Sequence, residues 1–226
     1  PYYWKVDTEG QQLPYIDEQV RMLMPDPEVV KLNVQSGALD FADKFVRQEL
    51  PVLKAGEEAG DYTTMLFAGD LGAIIKYQLN ITVDDDVLRP IFNDLRFRQA
   101  LSMAINREEI NETVFFGLGV PRQWGVSSAS PFYEDWMGDH FAQYDPEAAG
   151  KLLDEMGLKM GPDGVRLRPD GEELRIVLAD AINRIPVSEL IAEYWGDIGV
   201  ATQINPLTRE TFQQQVLAED INASVW

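Results

Sequence analysis

Cysteine is absent from the 226 residues, and histidine occurs once, at His140. The first absence removes disulfides, thiolate nucleophiles and cysteine-based zinc or iron–sulfur sites together. The second leaves a Ser-His-Asp arrangement only one base to use, and no G-x-S-x-G elbow surrounds any serine; His140, in a long loop, reads as a surface residue. Positive charge is scarce as well. The 19 Lys and Arg face 38 Asp and Glu, a formal charge of −19 whose field repels phosphate backbones and anionic lipid and argues against a nucleic-acid partner. No apolar run approaches the roughly 20 residues that span a bilayer. Pro1-Tyr2-Tyr3-Trp4 lacks signal-peptide character, so either the protein is cytosolic or its true N-terminus lies upstream. Gly117-Leu118-Gly119 lacks the strand and third glycine of a dinucleotide fingerprint. Asp84, Asp85 and Asp86 lack the spacing of a calcium loop. No cofactor and no metal are therefore expected.

What remains is ample for a core: 45% of residues are hydrophobic and 10% aromatic, a globular composition. Short apolar segments at Gln19 to Met24, Leu39 to Phe41, Tyr62 to Phe67 and Ile74 to Asn80 read as strands. Asp26-Pro27 opens a helix that Gly37 ends, and a second helix is expected from Glu49 to Ala59. From Asp94, Phe97, Leu101, Ala104 and Ile105 share one helical face, with Arg96, Arg98 and Arg107 largely off it. A loop-rich stretch from Gly117 to Gln143 carries Trp124, Phe132, Tyr133, Trp136 and His140; loops of that length are usually functional or poorly ordered.

Asp145-Pro146 then starts a helix with Ala149, Leu152, Leu153 and Met156 on one face, ended by Gly157. The turns Gly161 to Gly164 and Pro169 to Gly171 frame a small hairpin. Leu174 to Ala179 reads as strand, Val187 to Ile198 as a strongly amphipathic helix with Trp195 in its apolar stripe, Ala201 to Asn205 as strand, Thr208 to Ala218 as helix and Ile221 to Trp226 as strand. Repeated β-α-β order predicts an α/β protein with helices layered on a sheet.

Five blocks in order resemble the family 5 solute-binding proteins of ABC importers, the peptide and nickel binders with an oligosaccharide-binding subgroup: YYWKVDTEGQQLPYIDEQV, LNVQSGALDF, FNDLRFRQALSMAINR, YDPEAAGKLLDEMG and ELIAEYWGDIGVATQI. The third, Phe92 to Arg107, is similar to the family's helix reading Asn-Asp-x-Arg-Val-Arg-Gln-Ala-Leu and ending in Ile-Asp/Asn-Arg. The resemblance implies a partial periplasmic-binding-protein-like fold of type II (cluster C), with residues 1–77 in a first lobe and 78–226 in most of a second, truncated before its return strands. It also implies a monomeric, periplasmic or extracellular, membrane-associated binding protein. Such a protein holds an oligosaccharide or oligopeptide between two lobes and presents it to a membrane permease.

The candidate ligand contacts are Trp124, Trp136, Gln214, Gln215 and Trp226. Aromatic faces and fixed polar groups are what ligand capture needs. Trp124 and Trp136 fit both ligand stacking and core packing; Trp195 reads as core. Trp226 resembles a tryptophan beside the crevice of peptide-binding relatives. Gln214, Gln215 and Ala223 fall where relatives place basic residues for a peptide carboxylate, and none of them forms a charged pair, which favours a neutral hydroxylated ligand. The alternative is a glycoside-processing enzyme using carboxylate pairs such as Glu108 with Glu109 or Glu134 with Asp135.

Overall fold

Asp26 accepts a hydrogen bond from the Glu28 amide at 2.9 Å and so caps the first helix, α1 (Pro27–Gln35), with Pro27 in its first turn. The computed structural model describes residues 3–43, 45, 49–67, 73–127, 130–182 and 185–225, and these fall into two units, 1–66 and 67–226. The first unit holds α1, α2 (Leu50–Ala55) and α3 (Glu57–Gly60). The helix expected from 49 to 59 is thus broken at Gly56. Tyr62 donates its hydroxyl to the Leu53 carbonyl at 2.5 Å, and that hydroxyl lies 2.6 Å from where a Cβ on residue 56 would sit. Only glycine admits the crossing.

The strands expected at 19–24, 39–41 and 62–67 are not formed. A strand exists only where its N–H and C=O groups find a ladder partner. Among the described residues none pairs with these segments, so their apolar composition does not decide their conformation.

The second unit is built on a four-stranded sheet of order β1-β4-β2-β3, made of β1 (Tyr77–Leu79), β2 (Arg175–Asp180), β3 (Ala201–Pro206) and β4 (Ala223–Val225). β2 runs parallel to both β3 and β4, and β1 pairs antiparallel to β4 with Tyr77 opposite Val225. The strand expected over 74–80 shrinks to the three residues that β4 can pair. The signature block opens in the end of a helix that turn residues had masked, α4 (Leu88–Asn93), whose first turn is capped by Asp85 accepting from the Val87 and Leu88 amides, each at 2.8 Å. Pro90 is tolerated because it falls near the helix start, where amides have no intrahelical partner.

The main part of the block is α5 (Leu95–Met103), capped by Asp94, and its last residue opens α6 (Arg107–Phe115), capped by Asn106. Phe97, Ala100, Leu101 and Ala104 face the core, and the fully buried rings of Phe92 and Phe97 stack with centroids 5.8 Å apart. α7 (Trp136–Asp139) is a single turn within the long loop; α8 (Pro146–Glu155) packs on α5, α9 (Ile185–Asp197) on β3, and α10 (Arg209–Leu217) joins β3 to β4. Trp195 is buried as expected, donating its indole N–H to the Leu101 carbonyl at 3.0 Å and meeting Tyr77 edge-on. That bond satisfies the one polar atom of a large buried ring and locks α9 to α5.

The small hairpin is held from inside. Arg166, 4% exposed, donates to the carbonyls of Ile198 at 2.7 Å, Leu158 at 2.5 Å and Gly150 at 3.1 Å and pairs with Asp154. One guanidinium therefore fastens the hairpin to the ends of α8 and α9, which a point-charge ammonium would not do.

Candidate functional site

The polar side of α5 turns toward the long loop, and between them lies an open cleft of about 870 Å³. Leu95, Arg98, Gln99 and Ser102 of α5 form its floor; Gln123, Trp124 and Val126 form one wall, and Trp136, Met137, His140 and Phe141 form the other. Trp124 and Trp136 are 57% and 55% exposed. Core packing, one of the two readings the sequence left open for them, is therefore not what they do.

The loop is tied to α5 through Arg107 and Ser102. Arg107, the last of the signature block, donates through Nη1 to the carbonyls of Ser102 at 2.9 Å and Ala142 at 3.1 Å, and through Nη2 to the Ser102 hydroxyl at 2.8 Å. The hydroxyl donates onward to the Phe141 carbonyl at 2.8 Å and accepts from the Gln123 amide, also at 2.8 Å. Gln123 Oε1 accepts from the Trp124 backbone N–H at 3.1 Å. The chain from Arg107 through Ser102 and Gln123 thus sets the position of Trp124. Burial lowers the Arg107 pKa to about 10, still far above neutral pH, so the guanidinium keeps its charge behind the cleft floor.

On the opposite wall Trp136 donates Nε1–H to Glu134 at 2.7 Å, and His140 stands edge-on to Trp136 at 5.5 Å and to Phe141 at 4.3 Å. Trp136 and His140 lie one helical turn apart. That spacing was the only signal in the sequence that could have brought the histidine into the site, and the surface-loop reading passed over it. Arg98, Gln99 and Ser102 were passed over too, because the signature block was read through its apolar face; Gln123 lies in the loop, outside that block.

Lys76 places its Nζ 5.5 Å from the Trp124 ring centroid. Lys76 directly precedes β1, whose Tyr77 pairs with Val225 of β4. The rim of the cleft therefore reaches the carboxyl end of a parallel strand, the side of an open α/β sheet on which ligands bind.

Gln214 is exposed and Gln215 half-buried on α10, and neither lines the cleft. Trp226 lies outside the described residues. The carboxylate pairs proposed for glycosidic chemistry are otherwise engaged: Glu109 accepts from the Tyr194 hydroxyl at 2.8 Å and Glu134 from Trp136. No Asp or Glu is among the described residues that line the cleft. Asp84 and Asp86 pair with Arg89, and Asp85 caps α4. No helix among the described residues is long and apolar enough to cross a membrane.

A mixed α/β unit with an aromatic cleft beside the carboxyl end of its sheet defines a ligand-binding protein of the periplasmic-binding-protein fold. The profile of the bacterial extracellular solute-binding proteins, family 5 middle region, matches residues 1–226, and the chain belongs to that family of binding proteins. It is similar to a probable ABC transporter-binding protein of Deinococcus radiodurans, 27% identical over 92% of this chain and 36% of that one. It is also similar to the periplasmic alpha-galactoside-binding protein of Rhizobium meliloti, 28% identical over 70% of this chain and 24% of that one. Among solved structures, an oligopeptide-binding protein OppA superimposes with a TM-score of 0.74 at 40% identity, over 99% of this chain and 37% of its own. The chain thus spans about a quarter to little more than a third of the length of these relatives.

Proposed function

We propose that this chain is part of the solute-binding subunit of an ABC importer. That subunit works outside the cytoplasmic membrane, captures an oligosaccharide or oligopeptide between two lobes and hands it to the permease. The observation that carries the reading is the pairing of Trp124 with Trp136. Two tryptophans, each more than half exposed, stand on one cleft, and the Gln123 amide on its wall is held in place by the Ser102 hydroxyl. An indole face left in water gains by covering a ring of similar size, and groups already oriented lose little entropy on binding.

The cleft favours a saccharide over a peptide. The flat C–H faces of a sugar ring suit the indoles. The Gln99 amide, which makes no hydrogen bond among the described residues, offers both a donor and an acceptor to hydroxyls. The similarity to an alpha-galactoside-binding protein points the same way, while that to OppA keeps the peptide alternative open. Gln214, Gln215 and Trp226 belong to the proposed contacts through the family resemblance alone.

Titration calorimetry on the intact protein with oligosaccharide and oligopeptide pools tests this. Trp124→Ala and Trp136→Ala should each weaken binding by about tenfold or more, the loss of a buried aromatic contact. Affinity unchanged in both variants would defeat the reading. Tight peptide binding that Gln214→Ala and Gln215→Ala leave untouched would defeat the preference for saccharide.

A further inference from the structure

The charge around the cleft is opposite to that of the chain. Asp and Glu outnumber Lys and Arg two to one, yet the described lining contains no acid and does contain Arg98 and the single histidine. Lys76 stands over Trp124, Arg107 lies behind Ser102, and Arg122, next to Gln123, packs its guanidinium 5.2 Å from the Tyr133 ring. Among the described residues none of Lys76, Arg98, Arg107 and Arg122 forms an ion pair, whereas Arg89, Arg96, Arg166, Arg168 and Arg175 all do. Arg98 donates to the Phe92 carbonyl at 2.7 Å, which leaves most of its donors free. Arg122 has its Nε and Nη2 buried without a partner.

Unpaired cations beside aromatic faces are uncommon in so acidic a chain, because any nearby carboxylate would be drawn to them. Glu134 is held on the Trp136 indole rather than on a cation, and Asp94, near enough to Arg98 to feel its charge, pairs with Arg96 instead. The positive groups are therefore left for something that is not part of the described chain.

We infer that the cleft receives an acidic saccharide, a uronic-acid-containing oligosaccharide whose carboxylate is met by Lys76 and Arg98 while its ring faces lie on Trp124 and Trp136. This rests on the reading of the cleft as a saccharide site and narrows the ligand from a neutral to an anionic sugar. Lys76 serves twice: its cation covers the Trp124 face before ligand arrives, and its swing onto a carboxylate exposes that face for stacking. In a chain of formal charge −19, cations gathered at the cleft draw an anionic ligand toward it.

The test compares galactotriose with trigalacturonate, a pair differing only in the carboxylates, by calorimetry on the intact protein at low and physiological salt. The acidic trisaccharide should bind about tenfold more tightly or better, as one charge-assisted contact provides, and the preference should shrink at higher salt. Lys76→Met and Arg98→Met should each cut the preference for the acidic sugar several-fold. Lys159→Met, an exposed lysine outside the cleft lining, should leave it unchanged.

Equal affinity for the two sugars, with both weakened by Trp124→Ala, would overturn this inference and leave the saccharide reading standing. Binding of neither would overturn both. A preference lost as fully in Lys159→Met would show a net-charge effect and refute the site. Selection of a tetrapeptide acid over its amide, with neither sugar bound, would move the carboxylate to a peptide and refute the saccharide source.

Discussion

Replacing Arg107 with methionine removes the bonds it donates to α5 and to the long loop, leaves those of Ser102 with Phe141 and Gln123, and keeps a side chain of similar length. The carbonyls of Ser102 and Ala142 and the Ser102 hydroxyl each lose a charged donor lying within 3.1 Å. The Ser102 carbonyl still accepts from the Ile105 amide at 3.3 Å and its hydroxyl from Gln123, so the Ala142 carbonyl alone is stranded, at a cost of roughly 1–3 kcal/mol. Against this, burial already disfavours the Arg107 charge, as its lowered pKa shows, and methionine escapes that penalty. The two effects leave a net loss of about 1–2 kcal/mol, or a fall of roughly 3–6 °C in the melting temperature of a unit this size. Arg107→Lys should recover less than half, because one ammonium cannot span carbonyls on two segments as a planar fork does. Thermal unfolding of the intact protein, followed by far-UV circular dichroism and by tryptophan emission, measures both variants. A methionine variant within about 0.5 kcal/mol of wild type would refute the claim that Arg107 fastens the loop.

Phe97→Ala should cost about 3–5 kcal/mol in urea unfolding, since the ring is fully buried and stacked on Phe92; a loss under about 1 kcal/mol would show that the core collapses around the gap. The carboxyl of Asp85 titrates below its usual range, chiefly through the Leu88 amide and also through the Val87 amide and Arg168. A carboxyl with a lowered folded-state pKa stabilises the fold above its unfolded value near 3.9, and the contribution disappears as pH falls through the lower folded value. Asp85→Asn should therefore cost up to about 1 kcal/mol at neutral pH, through the lost pair with Arg168 and the lost charge at the helix start, and progressively less as pH falls below the unfolded value; an equal gap at neutral and acid pH would contradict it. Gly199→Ala should destabilise by about 1–2 kcal/mol or more. Its φ is +84°, and a Cβ there would come within 2.9 Å of Arg166 and Met160; chemical denaturation reads the difference.

Where structure is decided within a few residues, the sequence was a faithful guide. Asp26-Pro27, Asp145-Pro146 and the 3.6-residue stripe through Val187, Ile191 and Trp195 mark α1, α8 and α9 because capping and burial of one face are local acts. The strands at 19–24, 39–41 and 62–67 failed because ladder formation depends on a partner, which composition does not disclose. The break at Gly56 depended on where Tyr62 returns, and α4 was hidden by Pro90 and the aspartates before it.

The cleft was half legible. Trp124 and Trp136 stood out as large rings in a loop, but their meeting over the polar face of α5 depends on Arg107 reaching Ala142, a tertiary contact with no sequence signature. The same block that identifies the family by its apolar positions lines the cleft with its polar ones, Arg98, Gln99 and Ser102. Reading only the buried side of an amphipathic helix discards the half that faces a ligand.

The central claim is that ligand lies against Trp124 and Trp136. Fluorine NMR on the intact protein grown with 5-fluorotryptophan tests it most directly, with resonances assigned by single Trp→Phe substitutions. On saturation with a bound saccharide, the Trp124 and Trp136 signals should shift while that of Trp195, enclosed between α9 and α5, stays in place. Saturable binding that leaves both cleft signals unmoved would contradict the account.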